Sequence, residues 1–449
     1  MKVIGKGWLL TILAVLLAIA MAGCSGGSSK SEDSGKTGKK NNLAGQTLRF
    51  VACNHVWTEA IKPLIPEFEK QTGIKVNIES YAEEPLSQKL AVEFTSGAST
   101  IDVFMNRPHQ EGLLFTKNKW YEPLNNYINN PEITPADWDW NDFMASAVQA
   151  TTNNGTIFGV PIISEATIIY YRKDLFQQAN LTPPTTFEEL EAAAKKLNNP
   201  SSGIAGIVAR GQRGLAVSQF AGYLFGFGGD FLKDGKCVLD TPEAVAAFKY
   251  YGKLLHDYGP PGTTNMSWPQ ASALFASGKA AMLTDSSGIL SAIIDPSKST
   301  VADKVGFAVF PAGPKGLHPY FGAPWALSIS ASSKHKEAAW EFVKWLSSKE
   351  VMKKAQLVGN TGTRKSVWND PEVLAKMPKG FAEVVEKSGE VGVPYCVPRM
   401  TAVGEARDAI GEVIVKSIET GGQGDIEALA KEATRKINDL LAKTGEGGQ

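Results

Sequence analysis

The chain has 449 residues, 43% of them hydrophobic and 20% charged, a composition that excludes a disordered, collagenous or coiled-coil protein for most of its length. Its 46 basic and 46 acidic residues balance, so no cationic excess exists to track a phosphate backbone, and nucleic acid is excluded as a partner. The cysteines Cys24, Cys53, Cys237 and Cys396 are scattered and form no CxxC, which leaves neither a disulfide framework nor a zinc ribbon.

Lys2 and Lys6 precede an apolar run, WLLTILAVLLAIAMA, from Trp8 to Ala22. As a helix it would reach about 22 Å, short of the roughly 30 Å of a bilayer core, and this length fits the apolar core of a signal peptide. It leads through Met21-Ala22-Gly23 into Cys24, which resembles the lipobox of bacterial lipoproteins. That resemblance implies a signal peptide over 1–23 and a diacylglycerol on Cys24. The stretch 25–42 has no apolar side chain and is rich in Gly, Ser and Lys, so 24–42 reads as a flexible tether.

From Leu43 strands and helices alternate. The pattern predicts strands at 47–53, 74–79 and 101–106, with helices at 59–71 and through Leu86, Leu90 and Phe94 between them. Strand-helix-strand units imply an α/β protein with a largely parallel sheet, whose ligands gather beyond the strand carboxyl ends near 53–57, 80–84 and 106–109. A long β-like passage spans 159–176. Helices follow at 187–197 and 242–258, and strands near 280–284 and 305–310. Further lobe crossings are predicted at 320–330 and 359–367, so that each lobe is assembled from separate segments.

No HExxH, GxSxG, P-loop or intact GxGxxG is present, and neither a cofactor nor a metal is expected. Glycosidases need no such signature, so a secreted carbohydrate-active enzyme stays open as an alternative. Loop positions instead carry rings, guanidiniums and carboxylates: Trp57, Glu84, Asn106, Arg107, Glu165, Arg210, Trp268, Asp285, Trp325 and Arg364. Charged groups bind hydroxyl pairs while aromatic faces cover C–H surface, a combination that suits a sugar or polyol.

Several passages resemble the bacterial extracellular solute-binding proteins, family 1, the maltose-binding type that feeds carbohydrate ABC importers. These are EFEKQTGIKV (67–76), GVPIISEATIIYYRKDLF (159–176), PPTTFEEL (183–190, with Phe187 for the usual Trp), FASGKAAMLTDSSG (275–288) and APWALSISASSKHKEAAWEFVKWLSSKE (323–350). The resemblance covers 43–443. It implies a type II periplasmic-binding-protein fold, two α/β lobes joined by a three-crossing hinge, with 43–164 and 323–362 in lobe 1 and 165–322 and 363–443 in lobe 2. It also implies docking of the closed form onto permease subunits, an extracytoplasmic location at the bacterial membrane and a monomer held there only through the lipid on Cys24. Position by position it offers Glu165, Arg210-Gly211, Asp285, Trp325, Arg364 and Arg399 as ligand contacts. A small sugar or polyol is the expected ligand. An oligosaccharide is an alternative, as is glycerol phosphate held by Arg107, Arg210 and Arg364.

Overall fold

A computed structural model describes residues 43–97 and 99–447; the expected signal peptide, Cys24 and tether lie outside the described residues. Strand β1 (Thr47–Cys53) pairs in parallel with β2 (Lys75–Tyr81) and with β3 (Val103–Asn106). Helix α1 (Glu83–Thr95) joins β2 to β3 and buries Leu86, Leu90 and Phe94, one face at helical spacing. Helix α2 (Pro108–Lys117) follows β3 directly. The helix expected at 59–71 is broken into Val56–Ile61, a tight turn at Lys62–Leu64 and Ile65–Thr72. Pro63 and Pro66 each remove a backbone donor there, which a continuous helix does not accommodate.

The long passage is β4 (Val160–Arg172), a strand shared by both lobes. Its first half pairs antiparallel with β7 (Phe321–Ile329), which in turn lies against β3. Its second half pairs antiparallel with β5 (Met282–Ser286) and β6 (Val305–Val309). The order is therefore β6-β4-β7-β3-β1-β2, with β5 also on β4. The expectation of a largely parallel sheet is corrected: only β2, β1 and β3 run parallel, because β4 and β7 pass directly between lobes and meet their neighbours head to tail.

Two regions of apolar core flank this crossing. One contains residues of β1, β3 and α1 with Trp57, Trp325 and Trp340. The other side is filled by Phe187, Phe220, Phe248, Tyr251 and Ile414, with a satellite around Tyr170, Phe275 and Phe381. Val367 and Val373 pack in the first core, Trp368 and Phe381 with the second group and Met377 against both, so the segment 367–381 runs along the seam between the two. Helix α3 (Val217–Gly226), α4 (Pro242–Tyr258), α5 (Trp268–Ala276) and α6 (Val403–Thr420) belong to the second side. Among the described residues no helix is long and apolar enough to cross a membrane.

Candidate functional site

The first lobe's strands end toward the second lobe, and there the two enclose a cavity of about 40 Å³. Residues just past β1, β2 and β3 supply His55, Glu83 and Arg107; the far side is made by Arg210, Gln219, Trp268 and Tyr320. Glu165 and Trp325 come from the crossing strands themselves. Glu165 lies where β4 leaves β7 and takes up β5, opposite Gly322, which is why its side chain reaches the junction of the lobes. Trp325 follows an irregularity in the β4–β7 register, a bulge of the kind that re-aims a side chain.

His55 caps the helix Val56–Ile61, its Nδ1 accepting from Trp57 N at 3.2 Å. The neutral ring therefore carries its proton on Nε2, which faces Glu165 Oε1 at 3.9 Å. Rings of Trp268 and Trp325 flank it at centroid distances of 5.9 and 5.7 Å. The Arg107 guanidinium stands 5.6 Å from the Trp325 ring and donates to Glu111 at 2.9 Å and Glu83 at 3.1 Å. Arg210 makes a two-pronged pair with Asp285 at 2.5 and 3.0 Å. Gln219 Nε2 and Ser286 N also donate to Asp285, leaving Gln219 Oε1 buried at the cavity without a partner. Across the cleft, Arg407 of α6 donates to Glu84 Oε1 of α1 at 2.6 Å and to Gln110 Oε1 of α2 at 2.7 Å, joining the lobes directly.

Burial raises the Glu165 carboxyl from its ordinary 4.5 to about 7, against the opposing help of a Ser286 hydrogen bond and Arg210. Burial lowers His55 from 6.5 to about 4. Between pH 4.5 and 7 the folded chain keeps a proton on Glu165 that the unfolded chain has lost, so this contribution to stability falls as pH rises. Between pH 4 and 6.5 the unfolded chain holds a proton that buried His55 lacks, so that contribution rises with pH. The two slopes oppose each other where the windows overlap. Thermal melts of Glu165→Gln, referenced to the parent, should therefore climb between pH 4.5 and 7, by about 1–3 kcal/mol in stability. His55→Gln should drift the opposite way, and flat differences in both variants would mean that neither group is perturbed.

Of the residues singled out in the sequence, Arg107, Glu165, Arg210, Trp268 and Trp325 line the cavity. The others are corrected. Trp57, 2% exposed, turns into the first core from the helix that His55 caps. Glu84 sits one residue past the lining Glu83 and pairs with Arg407 instead. Asn106 ties β3 to β7, donating to Ser328 Oγ and accepting from Tyr121. Gly211 is a close-approach residue, since a Cβ there would meet the Thr263 carbonyl oxygen at 2.4 Å. Asp285 lies behind the wall and acts through Arg210, so it does not face Glu165 across the cleft.

Arg364 is fully buried in the first lobe with Asp142. Arg399 is exposed and lines a separate surface pocket. An anion site built on Arg107, Arg210 and Arg364 is therefore overturned, the first two being matched by carboxylates within the protein. Trp325, at 3% exposure, serves the first core as well as the cavity, so its loss would cost stability along with affinity. The sequence reading missed His55, Glu83, Gln110, Gln219, Tyr320 and Cys396. The carboxyl-end rule marked the loops of His55 and Glu83, whereas Gln219 and Tyr320 carry no local signal. Gly288 is a further concealed requirement, because a Cβ there would meet Glu165 Oε1 at 2.5 Å. Cys53, Cys237 and Cys396 are all free and buried.

Comparison with known proteins agrees with this architecture. The chain is 33% identical to the mannitol-binding protein of Pseudomonas aeruginosa over 68% of its own length and 70% of the relative's. It is 27% identical to the erythritol/L-threitol-binding protein of Mycolicibacterium smegmatis over 70% of this chain and 69% of that one. A solute-binding protein of an Agrobacterium radiobacter ABC transporter, solved with ribitol, superposes with a TM-score of 0.81 at 31% identity, covering 89% of this chain and 99% of the other. The fold is that of the type II periplasmic binding proteins. With residues 54–353 matching the family model as well, the chain belongs to the bacterial extracellular solute-binding proteins.

Proposed function

We propose that the protein captures a linear polyol of four to six carbons, or a sugar of that size, between its lobes and hands it unchanged to an ABC importer. The observation that carries the reading is the small enclosed cavity in which both lining guanidiniums are already neutralised, Arg107 by Glu111 and Glu83 and Arg210 by Asp285. Such a site has no net positive charge for a phosphate. It offers instead oriented N–H donors, the buried Gln219 Oε1 acceptor and ring faces for a neutral chain of hydroxyls. Relatives and structural neighbours named for mannitol, erythritol, threitol and ribitol support the class.

Ligand hydroxyls that bridge the lobes would favour the closed form, which the permease subunits would recognise. Calorimetry should give micromolar binding for at least one of erythritol, ribitol and mannitol, or about −8 kcal/mol, and should return the ligand intact. Preference for glycerol phosphate, or conversion of any ligand, would overturn the reading.

The same reading holds the protein outside the cytoplasm as a monomer anchored by a lipid on Cys24, on the strength of the apolar run, the small residues and the polar tether in that order. Cys24→Ser expressed in a bacterial host should appear in the soluble or unprocessed fraction; unchanged membrane retention would count against the anchor.

A further inference from the structure

Beside the ligand cavity lies a second, larger one, of about 650 Å³, between the same two lobes. The two share His55 and Trp268 as lining residues and no others. These rings come from opposite sides, His55 from the first lobe and Trp268 from the second, with centroids 5.9 Å apart. Both are set by helix starts. His55 is itself an N-cap, and Trp268 opens α5 behind Ser267, whose N–H and hydroxyl both bond Gln270, with Pro269 next in the chain. Neither ring hangs from a free loop.

Beyond this pair the larger cavity carries buried polar atoms with no hydrogen-bond partner. They are Gln356 Nε2 and Asn360 Oδ1 from the first lobe and Ser291 Oγ from the second. Gln356 and Asn360 are each 3% exposed, and their other amide atoms are already engaged, Gln356 Oε1 by Gly362 N at 3.3 Å and Asn360 Nδ2 by Ala355 O at 3.0 Å. A donor and two groups able to accept thus lie buried and unpaired in residues that line a partly apolar wall, the character of a place for a hydroxylated ring.

We propose that the His55–Trp268 pair is the partition that sets the upper length of the ligand, with the larger cavity acting as a latent subsite for one further sugar unit. The proposal rests on the polyol reading of the smaller cavity. A polyol that fits the small cavity stops at the two rings. Removing the indole joins the volumes, so that a polyol bearing a glucosyl group is accepted with its added ring against Gln356, Asn360 and Ser291.

The test is calorimetry with ribitol, mannitol and maltitol, a hexitol that carries a glucosyl unit. The parent should prefer its better linear polyol over maltitol by roughly 100-fold or more, and Trp268→Ala should shrink that ratio to about tenfold or less. The ratio is the readout because Trp268→Ala also loses ring contact with the short ligand. His55→Ala and Trp268→Leu provide the same comparison if Trp268→Ala does not fold. Gln356→Leu added to Trp268→Ala should weaken maltitol binding alone. A ratio unchanged in all of these variants would place the limit elsewhere and overturn the partition. Parent affinity for maltitol equal to that for mannitol would overturn it too while leaving the polyol reading intact. Failure of the parent to bind any of the three would overturn the partition, and failure with erythritol as well would remove the polyol reading too.

Discussion

Replacing Asp285 by Asn should destabilise the protein by about 3–5 kcal/mol and weaken ligand binding by roughly ten- to 100-fold. Asp285 has no exposed surface and is, among the described residues, the sole carboxylate in ion-pair contact with Arg210, itself only 7% exposed. The amide has the right size but not the charge, so the guanidinium would stay buried without its counter-ion, the arrangement that costs most when such a pair is broken. Binding suffers indirectly, since Asp285 holds Arg210 through two prongs and also fixes Gln219, and both of those line the cavity. A double variant, Arg210→Met with Asp285→Leu, separates the two effects. It should recover part of the stability, because no charge is left uncompensated although Gln219 Nε2 and Ser286 N lose their acceptor, and none of the affinity. Denaturant unfolding and calorimetry on the three proteins would decide, and parental stability in Asp285→Asn would refute the account.

Arg364→Met should show the converse, a loss of about 2–4 kcal/mol in stability with affinity inside roughly twofold of the parent. The guanidinium lies 4.0 Å from the Phe143 ring centroid and 5.4 Å from that of Trp138. It donates to Ser347 O at 2.7 Å, Asp139 O at 3.1 Å and Asp142 at 3.2 Å. Methionine fills part of the space but leaves two carbonyls without this donor, and burial already pulls the arginine's pKa below its ordinary value. Asp142 is less exposed to loss, because Ser366 donates to it through both backbone and hydroxyl. The same unfolding and binding measurements apply. A large drop in affinity without loss of stability would return Arg364 to the ligand site.

The contrast between these two residues shows where reading by sequence stops. Asp285 ends an apolar run and Arg364 follows the polar GNTGT, and both stand out in the sequence as charged candidates for the cleft, yet one supports the cavity wall and the other pins the first lobe. Glu83 and Glu84 differ by one position, but a step of about 100° around a helix sends one toward the cavity and the other to Arg407 of the opposite lobe. His55 and Trp57 divide in the same way: the cap faces the cleft and the first helical turn faces the core.

By itself the sequence determined the succession of strands and helices, the family resemblance, the passages that cross between lobes at 159–176 and 320–330, and the loops from which a ligand site would be built. Those features are written in local periodicity and in motifs, which a chain carries whether or not it is folded. The tertiary structure alone decided which side chain of each loop enters the cavity and that Arg210 is matched by Asp285 75 positions away. It also decided that Pro63 and Pro66 divide one predicted helix and that β4 and β7 run against their neighbours. The physical reason is that a cleft residue is selected by packing on its opposite face: Trp57, Arg364 and Asn106 are claimed by the first lobe's interior, and what is left over, including His55 and Gln219, becomes the wall.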